Sequence, residues 1–509
     1  MRSMLSSSRE AMVRSRFVVV FALVLVAFAA TAASALAAHQ VDIVRQGEPP
    51  EKYPANTHYF KTIQAAVNAT KEGDFVLIEP GTYYEEVKVE KPHNRIYIRG
   101  MNRNTVILDG QHKIVPGGSN GIEIIKANNV WVENLTVRNF DRPSLNGPGG
   151  NEIWWNGGAD SGTIGAHGWY GSYLTAYDDG LNGGYGIYTN NERVGEWNNI
   201  YASGFNDSGI YLGACQECRA HITKATIENN AVGYSGSNSG GELTIEESIF
   251  KHNSTGIAPN GENPGDGPPP QDGECHRGEV LPPNPTPHIK STEINRCTII
   301  RNNLVTENNN LSVPANGSTE KSPFGAGIQL AGDYADLVEG NTITKNPANG
   351  VQAFEYPNPF PPLTKEEEEE KGYGTIYFQV AGNKIANNTF AENGEYGPLL
   401  GKNMTGAIFI QGGIFGRTPR SQSVNNCFSG NKIAADFGAA TFPANLEETW
   451  GCQHKYTPNP ENGFGSVEYL LELQFISEHD RSPEGQPVPP EQPTMPNPCE
   501  GIPVNPLCP

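Results

Sequence analysis

From residue 58 to about residue 440, apolar side chains come in short alternating runs. "NRIYIRG", "NTVILDG" and "GIEIIKANNVWVENLTVRN" hold strands of three to five residues, separated by Gly, Asn and Asp. Alternation at period two predicts half-buried strands, and the polar residues between them predict turns. None of these strands is long enough for an ordinary hairpin sheet. One helical pattern precedes them. Over Lys61–Thr70, Ile63, Ala66 and Val67 share a face, which predicts a short amphipathic helix. A strand at Phe75–Ile78, a turn at Pro80-Gly81 and a strand holding Val87 and Val89 follow. A helix in that position is placed to cover the open end of a stacked sheet.

The pattern also repeats. "GIYT", "GIYL", "VGYS" and "TGIA" place glycines at 186, 209, 233 and 256, spaced 23, 24 and 23 residues apart. "GIQL" and "GVQA" start at Gly327 and Gly350, again 23 apart. A second motif keeps step with the first: "TIENN" from Thr226, "SIFKHN" from Ser248, "TIIRNN" from Thr298, "TITKN" from Thr342 and "KIANN" from Lys384. One such unit, with two or three short strands and no helix, cannot bury its own apolar face. Stacked about 4.8 Å from its neighbour, each strand pairs in parallel with the same strand of the next unit. Ile, Val and Leu then stack inside, and Asn at a turn can bond to the adjacent coil. The pairs Asn229-Asn230, Asn302-Asn303 and Asn387-Asn388 fit such a ladder. The expected fold is therefore all-β: a single right-handed parallel β-helix of roughly ten or more coils with an N-terminal helical cap.

Interruptions set the domain plan. Residues 140–184 are Gly- and Trp-rich and 259–290 Pro- and Gly-rich, while 355–374 contain the run Lys365–Lys371 with five glutamates; all three are expected to leave the coil as loops. The glutamate run suits a solvated or short helical protrusion. Arg2, Arg9, Arg14 and Arg16 precede the apolar run Phe17–Ala30, and Ala35-Leu36-Ala37 forms a cleavage site. Residues 1–37 therefore read as a signal peptide, with an uncleaved anchor as the alternative. Residues 38–57 form a lead-in, 58–475 the β-helix and 476–509 a flexible Pro-rich tail.

Composition agrees. Gly (58) and Pro (39) suit many tight turns, and a hydrophobic content of 37% suits a thin core. The net charge of −20 opposes phosphate backbones, so nucleic acid is not an expected partner. After cleavage no segment is apolar enough to span a bilayer. Eight cysteines in an exported chain point to disulfides. Pairing of neighbours, Cys215–Cys218, Cys275–Cys297, Cys427–Cys452 and Cys499–Cys508, is the simplest arrangement; other connectivities remain open, as does a metal at Cys215-x-x-Cys218-x-x-His221. The expected location is secreted or extracytoplasmic.

"TIQAAVNATKEGDFVLIEPGTYYEEVKV" and "GIYLG…TIENNAVGYSG" resemble the pectin-lyase-like and NosD-like right-handed β-helix proteins over residues 58–440. That resemblance implies the fold and no particular reaction. The pectin methylesterase segments are missing, and Asp178-Asp179 in "YDDGL" echoes only one part of the polygalacturonase set.

Two constellations carry candidate chemistry. Tyr188, Tyr211 and Tyr234 are spaced 23 and 23, and Gln329 and Gln352 continue the column. Outward-facing rings beside Gln would suit the apolar faces and hydroxyls of sugars; a ladder that only stabilises the coil is the other reading. In the 140–184 segment, His167, Asp178 and Asp179 are weak catalytic candidates, with Arg193 or Arg138 as a base for lyase chemistry. Paired acids could also hold Ca²⁺; otherwise no cofactor and no dedicated metal ligands are expected. Taken together, the chain reads as a secreted protein that binds or processes extracellular polysaccharide, as a lyase, esterase or hydrolase if catalytic. A non-catalytic envelope scaffold is the alternative.

Overall fold

A computed structural model describes residues 39–158, 163–261, 296–313, 324–354, 364–371, 380–394, 408–411, 426–434, 446–449, 451–452 and 482–509, with 275, 319 and 441. The expected signal peptide and most of the 259–290 and 355–374 insertions lie outside the described residues. No described helix is long and apolar enough to cross a membrane.

The chain is a parallel β-helix. Every strand pairing is parallel, and strands from successive coils stack into three faces. Face I is a ten-stranded sheet running from Val87–Glu90 to Ile408–Gln411. Faces II and III form a 22-stranded sheet, joined where Val130–Arg138 and Ala166–Tyr177 run through both. The right-handed course is the one that parallel crossovers adopt.

Alternation explains the packing. On face I, Ile122, Ile153, Ile187, Ile210, Tyr234, Ile257, Ile328 and Val351 stand in one inward column. Each is fully buried. Residues one step along the strand face out. The glycine near the start of most face I strands is a steric requirement: a Cβ on Gly186, Gly233 or Gly256 would meet the next coil's backbone oxygen at 2.4 Å.

The corners between faces are held by three side-chain ladders. Between faces III and I, the N–H of Asn230 donates to Asn253 Oδ1 at 3.1 Å, and the pattern continues through Asn308, Asn346 and Asn393. Between faces II and III, the series is Ser248, Asn303, Asn341, Asn388 and Asn431. Between faces I and II it is Asp336, Asn383 and Asn426. Each asparagine also sends its Nδ2–H to a carbonyl or to the next asparagine, so buried turn N–H groups find partners. The Asn-Asn pairs expected on one ladder divide between two, Asn230 on the first and Asn303 and Asn388 on the second. The leading member of each pair, Asn229, Asn302 or Asn387, has φ between 55° and 58°. Asn tolerates that left-handed turn conformation better than most residues.

Several boundaries differ from expectation. The lead-in contributes Val41–Val44, which pairs with Thr57–Phe60 and Phe75–Ile78 on face II. The helix spans Ile63–Ala69, starts at the N-cap Thr62 and packs Ile63, Ala66 and Val67 against the first coils. Residues 140–184 are not a loop. They form the strands Asn151–Asn156 and Ala166–Tyr177, because Trp155 and Trp169, with Trp197 of the next coil, fill the interior as large inward residues. The C-terminal segment is an extended strap rather than a free tail. It bonds to Leu311 and Ser312, then to Asn104, Arg103 and Arg99 near the opposite end. The neighbour-paired disulfides are all present. Lys365–Lys371 is a helix whose N-cap Thr364 and Glu367 bond reciprocally.

Asp336 is the one carboxylate in its ladder, and burial pushes its pKa up to about 7. Its folded pKa lies above the unfolded value, so the charged form penalises the fold, and this penalty builds as pH rises from about 4 and is complete above about 7. Asp336→Asn should therefore raise the thermal midpoint at pH 8, by an amount equivalent to a few kcal/mol at most. The gain should shrink toward zero by about pH 4. Differential scanning fluorimetry across that range is the check, and an equal gain at both ends would count against it.

Candidate functional site

The tyrosine column has a different composition from the expected one. Tyr188 pairs with Tyr211, but Tyr211 pairs with Ser235, not Tyr234. The glycine spacing of 24 inserts one residue between those coils. A one-residue shift sends a side chain to the opposite face. Tyr234 therefore sits in the isoleucine column, fully buried, with its hydroxyl 3.4 Å from Ser239 Oγ. Burial raises its phenol pKa. The outward column actually runs Glu123, Trp154, Tyr188, Tyr211, Ser235 and Ala258 before reaching Gln329 and Gln352. Trp154 and Tyr188 stack with centroids 5.1 Å apart at 6°. Tyr211 is nearly buried and meets Tyr188 edge-on at 5.0 Å. Gln329 and Gln352 are buried too. This column is thus a packed ladder with only Trp154, Tyr188 and Ser235 half-exposed.

A second aromatic series lies on face II. Phe75, Tyr97, Trp131 and Tyr170 occupy one outward column, with centroids 4.7, 4.4 and 4.6 Å apart and planes within 18°. Stacked rings cover each other's faces and leave their edges outward. The stack ends at Tyr170, because the next coil puts Glu196 in the column. Two residues along, the parallel column carries Arg99, Glu133, Ser172 and Asn198. Arg99 pairs with Glu133 at 2.7 Å, and Ser172 donates to Glu133 at 3.2 Å. Beyond the last ring lies a half-open groove of about 310 Å³, lined by Tyr170, Glu133, Ser172, Glu196, Asn199 and Lys224, among others. Sequence reading missed it because these aromatics are not at a fixed spacing: the steps from Phe75 to Tyr97, Trp131 and Tyr170 vary with each insertion.

The acids gather elsewhere, at the corner between faces III and I. Asp178 follows the face III strand Ala166–Tyr177 and lies beside Asp141 of the preceding coil. His112 of the coil before that places Nδ1 3.3 Å from Asp141 and Nε2 2.7 Å from Asp179. Asp178 accepts the Gly180 N–H at 2.6 Å. Burial, then the neighbouring Asp141 carboxylate, drive the Asp178 pKa well up. Glu152 occupies the position that is glycine in most coils. It is fully buried and takes the Phe140 N–H at 3.1 Å, replacing the ladder asparagine of later coils. Burial and the nearby Asp178 raise its pKa.

His167 is not part of this corner. It is exposed at the far end of its strand, opposite Arg193 on face II. Arg193 approaches Glu217 at 3.8 Å. Arg138 is held by Asp109 at 2.8 Å and by the Tyr177 hydroxyl at 2.6 Å, so it offers no free base. Asp141 and Asp178 are closed to solvent, and only His112 and Asp179 are partly open. A polymer has no room to reach the buried pair. Asp178 and Asp179 were readable as a "DDG" turn. His112, Asp141 and Glu152 were not, since insertions of unequal length put them out of step with the repeat.

No family model matches the chain, and no curated protein is similar to it. Among solved structures it is similar to the Dettilon tailspike protein, at 13% identity over 74% of this chain and 64% of that one, with a TM-score of 0.38. It is also similar to an alginate lyase from Paenibacillus sp. str. FPU-7, at 14% over 74% and 93%, with a TM-score of 0.35. A third is pectate lyase Pel9A, at 13% over 79% and 78%, with a TM-score of 0.32. The chain spans less than two thirds of the tailspike's length.

The two tyrosine environments give opposite mutational expectations. Tyr234→Ala should open a cavity in the core and cost about 3–5 kcal/mol. Tyr188→Ala, on the half-exposed column, should cost about 1 kcal/mol. Thermal midpoints of the two variants read the difference, and equal losses would place Tyr234 outside.

Proposed function

We propose that the protein is exported and binds extracellular polysaccharide through the groove at the end of the face II aromatic stack. The observation that carries this reading is the free end of the stack at Tyr170, set beside hydroxyl, amide and charged side chains in register. A sugar ring has an apolar face and a rim of hydroxyls, which suits one aromatic plane flanked by Ser172, Asn198, Glu196 and Lys224. The groove volume suits one or two sugar units, with the polymer continuing along the face. Binding rather than turnover is favoured because the acid pair is closed to solvent. The strongly negative chain favours a neutral polymer over a polyuronate, since like charge repels at long range. The disulfides fit an oxidising compartment, and the leader-like N-terminus fits export.

Affinity electrophoresis through gels cast with neutral or acidic polysaccharides tests this. The protein should be retarded by at least one neutral polymer, and Tyr170→Ala should weaken retardation about tenfold, the order of one lost stacking contact. Lys224→Ala should weaken it less, and Tyr188→Ala not at all. Retardation that is unchanged in Tyr170→Ala, or absent with every polymer, would leave the scaffold reading in its place.

A further inference from the structure

The corner between faces III and I holds more buried carboxyl groups than protein cations answer. Asp141, Asp178 and Glu152 are each at most 3% exposed. Asp109 is satisfied by Arg138, but no described lysine or arginine pairs with the other three. Two carboxyl oxygens in this corner have no hydrogen-bond donor: Asp178 Oδ2, beside the Asp141 carboxyl, and Glu152 Oε2, on side chains that are 1% and 0% exposed. A buried carboxylate oxygen without a donor is costly, and either a proton or a cation must answer it.

His112 supplies geometry that suits a cation. Its Nε2 lies 2.7 Å from Asp179 Oδ1, the distance of a strong charge-assisted hydrogen bond. In the tautomer whose Nε2–H donates there, Nδ1 carries a lone pair. That lone pair faces the two Asp141 oxygens at 3.4 and 3.3 Å, long for a hydrogen bond. Two ligands held about 2.0–2.1 Å from one tetrahedral metal stand about 3.3 Å apart. Donor atoms of His112, Asp141 and Asp178 all lie within 4.8 Å of one another. Asp179 then plays the outer carboxylate that orients a metal-bound imidazole.

We propose that His112, Asp141 and Asp178 bind one divalent transition cation of the Zn²⁺ or Mn²⁺ type, with Asp179 fixing the imidazole. One imidazole with carboxylates suits such a metal better than Ca²⁺, which takes six to eight oxygens. The half-open side, where His112 and Asp179 are 36% and 31% exposed, supplies the way in and leaves a position for water. The three ligands come from turns of successive coils, so the ion ties those turns together across the stack. This site is independent of the groove on face II.

The test uses the whole protein, stripped with EDTA and titrated separately with Zn²⁺, Mn²⁺ and Ca²⁺ by calorimetry, with bound metal counted after gel filtration. The expected result is one equivalent of Zn²⁺ or Mn²⁺ per chain and a raised thermal midpoint, with Ca²⁺ doing neither at the same concentration. His112→Gln should abolish uptake. Asp179→Asn should weaken it about 10–100-fold while leaving the stoichiometry unchanged. Circular dichroism keeps the variants interpretable, and His112, being partly exposed, is a mild change to the fold. No uptake by folded protein, uptake of Ca²⁺ alone, or uptake unaltered in His112→Gln would overturn the proposal.

Discussion

Every other feature depends on one requirement: the backbone N–H groups at the corners of the coil are buried and must be bonded. Within a face the neighbouring strand supplies the partner. At a corner the chain turns and the strand ladder lapses. The stacked asparagines resolve this, each accepting the preceding coil's N–H through Oδ1. An unmet buried N–H costs about 1–3 kcal/mol. With three corners per coil, the ladders decide whether the stack holds. They also fix the register, and the register fixes which side chains share a column.

Where the ladder changes, the chemistry appears. Between faces III and I the asparagines run from Asn230 toward the C-terminus. In earlier coils, aromatic residues take their place: Phe205 donates its N–H to Asn230, and Phe140 donates to Glu152. Glu152 fills a site where most coils have glycine, and it brings a carboxylate into the interior. Asp141 and Asp178 follow from the same loss of ladder order. Among the described residues this corner gathers several acids where the solenoid elsewhere uses neutral amides, and a cation there would replace what amide dipoles do in the other coils.

The aromatic stack and the strap belong to the same end of the molecule. Phe75, which is buried, and the half-exposed Tyr97 form the part of the stack that packs beside the Cys499–Cys508 loop. Arg99 links the two by donating to the carbonyls of Pro498 and Glu500 while pairing with Glu133. Trp131 and Tyr170, also half-exposed, form the rest. The strap thus limits how far the aromatic surface extends and leaves the groove at its open end. A Pro-rich segment with little apolar content read as free chain, since its partners lie some 390 residues away and leave no local trace.

The sequence by itself determined the parallel coil, its period, the inward isoleucine and valine columns and the asparagine ladders. Each of these depends on neighbours one repeat away, which a periodic sequence displays directly. It also offered neighbour pairing as the simplest of the open disulfide arrangements, and a short helix within Lys61–Thr70. Only the tertiary structure decided which residues meet. One extra residue between Gly209 and Gly233 moved Tyr234 from the surface to the core. Strands with a Gly- and Trp-rich composition read as a loop until Trp155, Trp169 and Trp197 were seen to fill the interior. His112, Asp141, Glu152 and Asp178 come from three coils separated by unequal insertions, so no spacing announces them. Periodicity transmits the scaffold, whereas a site made of turn residues depends on how each insertion folds back.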